Sequence, residues 1–294
     1  MEGGYIITVS TNTGYKRAMK SCVSMLDFKI VVAYIKFLEP LMFRYFPPKK
    51  NLHPHNYRDY YIAAFTFFCV AVCLITDADA TLEKQNALGV SGWVFLIGWL
   101  LGENKEIRVQ VLIAVLFATV GEHFASPFMG GYTYRFHNVP AYVPAGHGMV
   151  YLTAVALGRS GVFQRYARQI ALFVVAVCGA WSLWGITFAT QGDWVGALLF
   201  VIFLFYLFKG KSPLVYLAAF FITTWLELIG TAVGTWQWAA IDPVLGLPQG
   251  NPPSGVAAWY CLVDAVAMGG SAPVLGLVKR IRFWIIKLLT LSHL

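Results

Sequence analysis

Thr119–His147, TVGEHFASPFMGGYTYRFHNVPAYVPAGH, decides the fold, because Thr224–Asn251, TWLELIGTAVGTWQWAAIDPVLGLPQGN, repeats its pattern. Thr119, Glu122 and Ser126 stand opposite Thr224, Glu227 and Thr231 at one constant spacing. After a one-residue deletion, Gly130, Tyr132, Tyr134, Pro144, Gly146 and His147 stand opposite Gly234, Trp236, Trp238, Pro248, Gly250 and Asn251. Each copy carries an acid in apolar surroundings, then an aromatic pair, then a Pro/Gly turn. Duplication of this kind implies an architecture built from two like halves.

The surrounding chain is apolar. Over 294 residues, 58% are hydrophobic, 12% are charged and the mean hydropathy is +0.63, against about 25% charge in a soluble domain. This composition predicts an all-α, multi-pass integral membrane protein. The net charge of +8 does not point to nucleic acid, since nine of the 22 Lys/Arg precede Tyr60 and four follow Leu277, flanking the apolar region. That placement fits positive charge retained on the cytoplasmic side. Cys22, Cys69, Cys73, Cys178 and Cys261 contain no CxxC pair and imply no redox or metal framework.

Eight apolar runs, at 60–76, 86–102, 109–126, 142–158, 169–190, 194–209, 213–233 and 253–276, approach the length needed to cross hydrocarbon. The connectors alternate in charge. Lys105, Arg108, Arg159, Arg165, Arg168, Lys209 and Lys211 fall on one side, while 191–193 and 234–252 have no Lys or Arg. The positive-inside rule then places both termini in the cytoplasm, in a cell-membrane protein. Four spans per repeat give the halves the same orientation, related by an axis along the membrane normal. The expected divisions are an N-terminal segment at 1–59 with an amphipathic surface helix, membrane repeats at 60–158 and 159–276, and a basic interfacial tail at 277–294. Both motif loops face outward.

Of fourteen Asp/Glu, only Glu122, Glu227 and Asp264 fall within expected spans, where an ionisable side chain is a functional candidate by default. Thr119 and Ser126 around Glu122, and Thr224 and Thr231 around Glu227, put each acid in a polar stripe on one helix face. Such acids can snorkel and tie helices together, or share a cavity between the halves. His147, with Tyr151 one turn on, is a structural donor or a base, and its counterpart in the second half is Asn251. Asp264, a turn beyond Tyr260, is a proton-holding group or a buried hydrogen-bond partner. Alternation puts Tyr132 and Tyr134, and likewise Trp236 and Trp238, on one side of an extended segment. Those rings would line a pocket mouth, to hold an isoprenoid tail or face a developing cation. No HxxxH, HExxH, GxSxG, Walker or CxxCH pattern occurs, so no metal or cofactor is implied.

At Glu227, Gly230, Gly234, Trp236, Trp238, Pro243 and Gly246 to Pro248, and more loosely at Glu122, Gly131, Tyr132 and Tyr134, the chain resembles membrane-bound carotenoid biosynthesis proteins of the carotenoid hydratase type. Trp replaces the family's Tyr in the second copy, and Ala125 stands where Gly230 does. The resemblance covers the two repeats and implies addition of water to a terminal isoprenoid double bond, or a related isomerisation or cyclisation. One carboxylic acid would protonate the alkene and the other would activate water. The candidate site is then Glu122, Glu227, His147 and Asp264 for catalysis, with Tyr132, Tyr134, Trp236, Trp238, Asn251, Tyr151 and Tyr260 around the substrate. The expected partners are the bilayer and a lipid or isoprenoid substrate, with no nucleic acid; a homo-oligomer is compatible with the sequence. A transporter or channel for a small solute or lipid is the alternative, and a structural membrane subunit a third reading.

Overall fold

Among the residues described by a computed structural model of the chain, 42–47 and 56–291, there are eight α-helices, one π-helical turn and a two-stranded ribbon. The helices are α1 (Tyr57–Ala78), α2 (Leu82–Leu101), α3 (Lys105–His123), α4 (Tyr142–Arg159), α5 (Gly161–Thr187), α6 (Trp194–Lys209), α7 (Pro213–Ala232) and α8 (Ala257–Leu291). The strands are β1 (Tyr132–Tyr134) and β2 (Trp236–Trp238). The chain divides into two units, Met1–Arg44 and Tyr45–Leu294, and all these helices and strands belong to the second. The amphipathic helix expected within 1–59 falls almost wholly outside the described residues.

Helix starts follow local chemistry. The side chains of Asn56, Thr81, Asn104, Ser160 and Asp193 each accept from a backbone N–H of the first turn of α1, α2, α3, α5 and α6, which satisfies one of the donors left unpaired at a helix start. Pro213 opens α7, where its missing N–H costs nothing. Five helices are long and apolar enough to cross a membrane: α1, α3 with its π-helical extension, α5, α7 and α8; α6 is a shorter apolar helix. Outward side chains such as Phe128, Phe188, Leu101, Val120 and Phe205 are exposed, as lipid-facing surfaces are.

The eight apolar runs are therefore not equivalent. α4 packs against α1, α2, α3, α5 and α7, and thirteen of its 18 residues are buried. A helix wrapped by protein has little lipid to face, so Gly, Ala and Thr serve it better than a greasy exterior. Ala154 of α4 meets Ala218 and Ala219 of α7, and a methyl group at Gly158 would come within 3.1 Å of the Leu214 backbone. The first turns of α2 carry Glu83, Lys84, Gln85 and Asn86, which lowers its apolar content. Within the described residues the basic stretch from 277 continues α8, which runs through Pro273 to Leu291.

Polar clusters at opposite ends show that α2 and α4 both run opposite to α1. At one end Arg159 donates to Glu103 through two nitrogens, at 2.8 and 3.0 Å, and lies 2.6 Å from Asp59. Arg58 also pairs with Glu103. At the other end Asp77, fully buried, accepts from Gln85 Nε2 and the Tyr142 hydroxyl, each at 2.9 Å. Arg135 approaches it to 3.7 Å. Across the bundle α3 packs along α8 and α4 along α7, which brings the ends of α3 and α7 beneath the ribbon.

Candidate functional site

Glu122 lies in the last turn of α3. Immediately beyond it the chain widens into the π-helical turn Phe124–Phe128, which contains Pro127 and is closed by Met129 N–H donating to the Phe124 carbonyl. Gly130 then adopts φ 72°, a left-handed conformation that glycine takes without strain. The chain thereby doubles back, and β1 lays both its tyrosines over the acid. The Tyr132 and Tyr134 hydroxyls donate to Glu122 Oε2 at 2.6 and 2.8 Å. His147 Nε2, from the second turn of α4, lies 2.8 Å from Oε1.

The second half makes the same reversal. Gly234, with φ 76°, follows α7, and β2 returns its tryptophans over Glu227. Trp236 Nε1 and Trp238 Nε1 donate to Glu227 Oε2 at 3.0 and 3.1 Å, and the Tyr260 hydroxyl donates to Oε1 at 3.3 Å. Glu227 is 4% exposed. Gly230 leaves room for the Trp236 ring, which any Cβ there would overlap.

β1 and β2 pair antiparallel, with Tyr132 opposite Trp238, Thr133 opposite Gln237 and Tyr134 opposite Trp236. Thr133 and Gln237 point outward and are exposed. Beneath them the two acid clusters touch: the Tyr132 and Trp238 rings lie 4.7 Å apart, and the His147 and Tyr260 rings stack at 5.4 Å and 23°. All four carboxylate oxygens have hydrogen-bonding partners, as buried polar atoms require. The two acids nevertheless sit in unlike company. An imidazole and two phenols hold Glu122, whereas two indoles and a phenol hold Glu227.

The rings of each aromatic pair fall on one side of an extended segment, as alternation predicts. Their polar ends, rather than their faces alone, engage the acids. The Thr/Ser stripe does not: Thr119 and Thr231 donate to carbonyls of their own helices, those of Val115 and Glu227. His123 is exposed and meets the Thr119 carbonyl. Asn251, aligned with His147, accepts from the Trp238 backbone N–H at 3.0 Å. Tyr260 makes the contact in the second half that His147 makes in the first. Tyr151 and Asp264 lie one turn deeper than His147 and Tyr260, outside the hydrogen-bonded cluster. Tyr151 donates to Gln110 Oε1 at 2.9 Å.

Sequence reading missed the supports. Asp193, 3% exposed, accepts from the backbone N–H groups of Gly196, Gly250 and Ser254 at 3.0, 2.7 and 2.8 Å, tying the second motif loop to the start of α6. Asp77 serves the first half through Tyr142. Gln249, 1% exposed, donates to the Gly131 carbonyl at 3.1 Å and fixes the loop against the ribbon. Asp193 carries the one usable signal, an aspartate directly before an apolar run, which marks a helix cap. A cavity of about 420 Å³ borders the ribbon, lined by Tyr134, Arg135, His137, Thr231, Trp236 and Asn251 among others. Tyr134 and Trp236 thus border both this cavity and the carboxylates. Among the described residues no three His, Cys, Asp or Glu side chains converge as a metal-binding group. No protein-family model, curated protein or solved structure matches the chain.

Proposed function

We propose that the chain is a multi-pass membrane enzyme carrying out acid/base chemistry, whether hydration, isomerisation or cyclisation, on an isoprenoid or other lipid substrate. The observation that carries this reading is the pair of carboxylates held under one ribbon by unlike donors. A division into acid and base needs two groups in different surroundings. Glu227, held by neutral donors alone, is the proton donor. Glu122 is the base, assisted by His147, whose imidazole can take up a proton.

In hydration the Glu227 proton adds to one alkene carbon, leaving a tertiary cation and the Glu227 carboxylate. Glu122 removes a proton from water as the water oxygen bonds to the cation, and the product is a tertiary alcohol. Return of that proton from Glu122 to Glu227 closes the cycle. In isomerisation or cyclisation the cation instead gives up a neighbouring proton to Glu122, and no water is consumed. The Tyr132 and Trp238 rings, in contact at 4.7 Å between centroids, turn their π faces to the cation once substrate parts them, and the substrate enters by displacing Tyr134 or Trp236 from the cavity wall.

The accompanying architecture is eight spans in two parallel repeats, α1–α4 and α5–α8, related by an axis along the membrane normal, with both termini cytoplasmic in a cell membrane. The strand register supports it, since each strand pairs with its own counterpart about the Thr133–Gln237 pair, as a local twofold requires. The packing of α3 on α8 and of α4 on α7 follows the same relation. A transporter is the second reading, favoured by Asp264, which lies deeper than the cluster and outside it. Lipid extracts of cells with and without the chain test the enzyme reading: a hydrated or rearranged isoprenoid supports it. Identical extracts with solute uptake that requires Asp264 would replace it with transport.

A further inference from the structure

Below the acid pair, a second set of buried polar side chains follows the seam where α3 meets α4 and α8. Asp264 is 2% exposed, and its Oδ2 has no hydrogen-bond partner among the described residues. It lies four residues beyond Tyr260 on α8, about 6 Å further along the helix axis. The titratable groups in electrostatic reach are Tyr151 of α4, Tyr216 of α7 and Cys261 of α8 itself, none of them a cation. Tyr151, 1% exposed, donates to Gln110 Oε1 of α3. Gln110 Nε2 in turn reaches Ser271 Oγ of α8 and Glu106 Oε1 of α3, both at 3.4 Å. Glu106, in the first turn of α3, is exposed at the end of the bundle that also holds Glu103 and Arg159.

An unpaired carboxyl oxygen at this depth is costly, and a buried line of polar side chains continuing from it through Tyr151, Gln110 and Ser271 towards one end of the bundle is not needed for packing. We propose that this seam is a proton path from the Glu106 end of the bundle to the acid pair, loading Glu227 with the proton that then cycles within the pair, with Asp264 as the group that stores it. Asp264 passes the proton on its Oδ2 towards Tyr260. The Tyr260 hydroxyl takes it while giving its own proton to Glu227 Oε1, to which it already donates. Asp264, left as a carboxylate, takes a proton from hydronium relayed through water admitted at the Glu106 end between Gln110 and Ser271; the hydronium O–H bond breaks, neutral water remains, and no other bond changes. The proposal rests on the reading of Glu122 and Glu227 as a working pair only for the destination of the proton.

Infrared spectroscopy of the full chain in lipid, transferred from H2O to D2O, tests it without any substrate. A protonated carboxyl band assignable to aspartate by isotope labelling of aspartate carboxyls should be present, and it should vanish in Asp264→Asn. It should shift in D2O well before the amides of α4 exchange. Gln110→Leu and Ser271→Ala should each slow that shift by about tenfold or more, by making the seam apolar, while Thr133→Val on the outer ribbon leaves it unchanged. Absence of a protonated aspartate band would overturn the storage role. A band that shifts at the wild-type rate in both seam variants would overturn the path. Neither result depends on turnover, so inactivity of the acid pair towards lipids leaves the outcome readable.

Discussion

Six side chains supply donors to the four oxygens of Glu122 and Glu227, and each bridges two segments that are distant along the chain or on different elements. Removing one donor leaves a buried carboxylate oxygen short of a partner, at a cost of about 1–3 kcal/mol. Trp236→Phe, which keeps the ring contact with Tyr134 but loses the N–H, should therefore lower the thermal unfolding temperature in detergent. An unchanged melting temperature would mean that the indole is not a structural donor. The residues of this cluster were legible in sequence, because duplication singled out both acids and both aromatic pairs. Their roles were not, since a phenol ten residues from a carboxylate meets it only after the glycine reversal. Linear alignment also matched His147 to Asn251, whereas the longer segment before α8 shifts the equivalent contact to Tyr260.

Individual elements depend on close approach and on paired charge. Gly230→Ala places a methyl group in the space of the Trp236 ring, so the ring must leave Glu227. Intrinsic tryptophan fluorescence should report the displaced indole, and a wild-type spectrum would contradict the packing. At the other end of the bundle, burial alone would raise the Glu103 carboxyl, but hydrogen bonds and charge from Arg159 and Arg58 outweigh it and hold the group below its usual value. A carboxylate so depressed contributes stability that is present above the ordinary value of about 4.3 and is lost as pH falls through its lower folded value. Wild type should lose this contribution below about pH 4, and Glu103→Gln should lack it at pH 7, at a cost on the order of 3 kcal/mol. Equal acid sensitivity of the two proteins in thermal unfolding would refute the assignment. Helix positions were readable from the apolar runs, but the special status of α4 was not. A wrapped helix and a lipid-facing one can share a composition until the neighbours are known.

At the scale of the molecule, the two aligned stretches of sequence meet directly in the β1–β2 ladder. The ladder itself was invisible in sequence, because three-residue strands carry almost no periodic signal. Orientation is tested by single cysteines and an impermeant reagent on intact cells. Val244, 67% exposed in the second motif loop, should be labelled from outside, and Lys211 should not; the reverse would invert the topology. Gln249, although in the same loop, is buried and would report nothing. The central claim is that Glu227 and Glu122 work as an acid and a base, and the most direct measurement is the lipid product formed by wild type, Glu227→Gln and Glu122→Gln, taken with their melting temperatures. Glutamine keeps the shape and still accepts from the indoles or phenols, but it neither supplies nor takes up a proton. Both variants should accumulate and melt close to wild type while product falls by about 10²–10⁴-fold. Wild-type product levels in both variants, or loss of product only in step with loss of folding, would contradict the account.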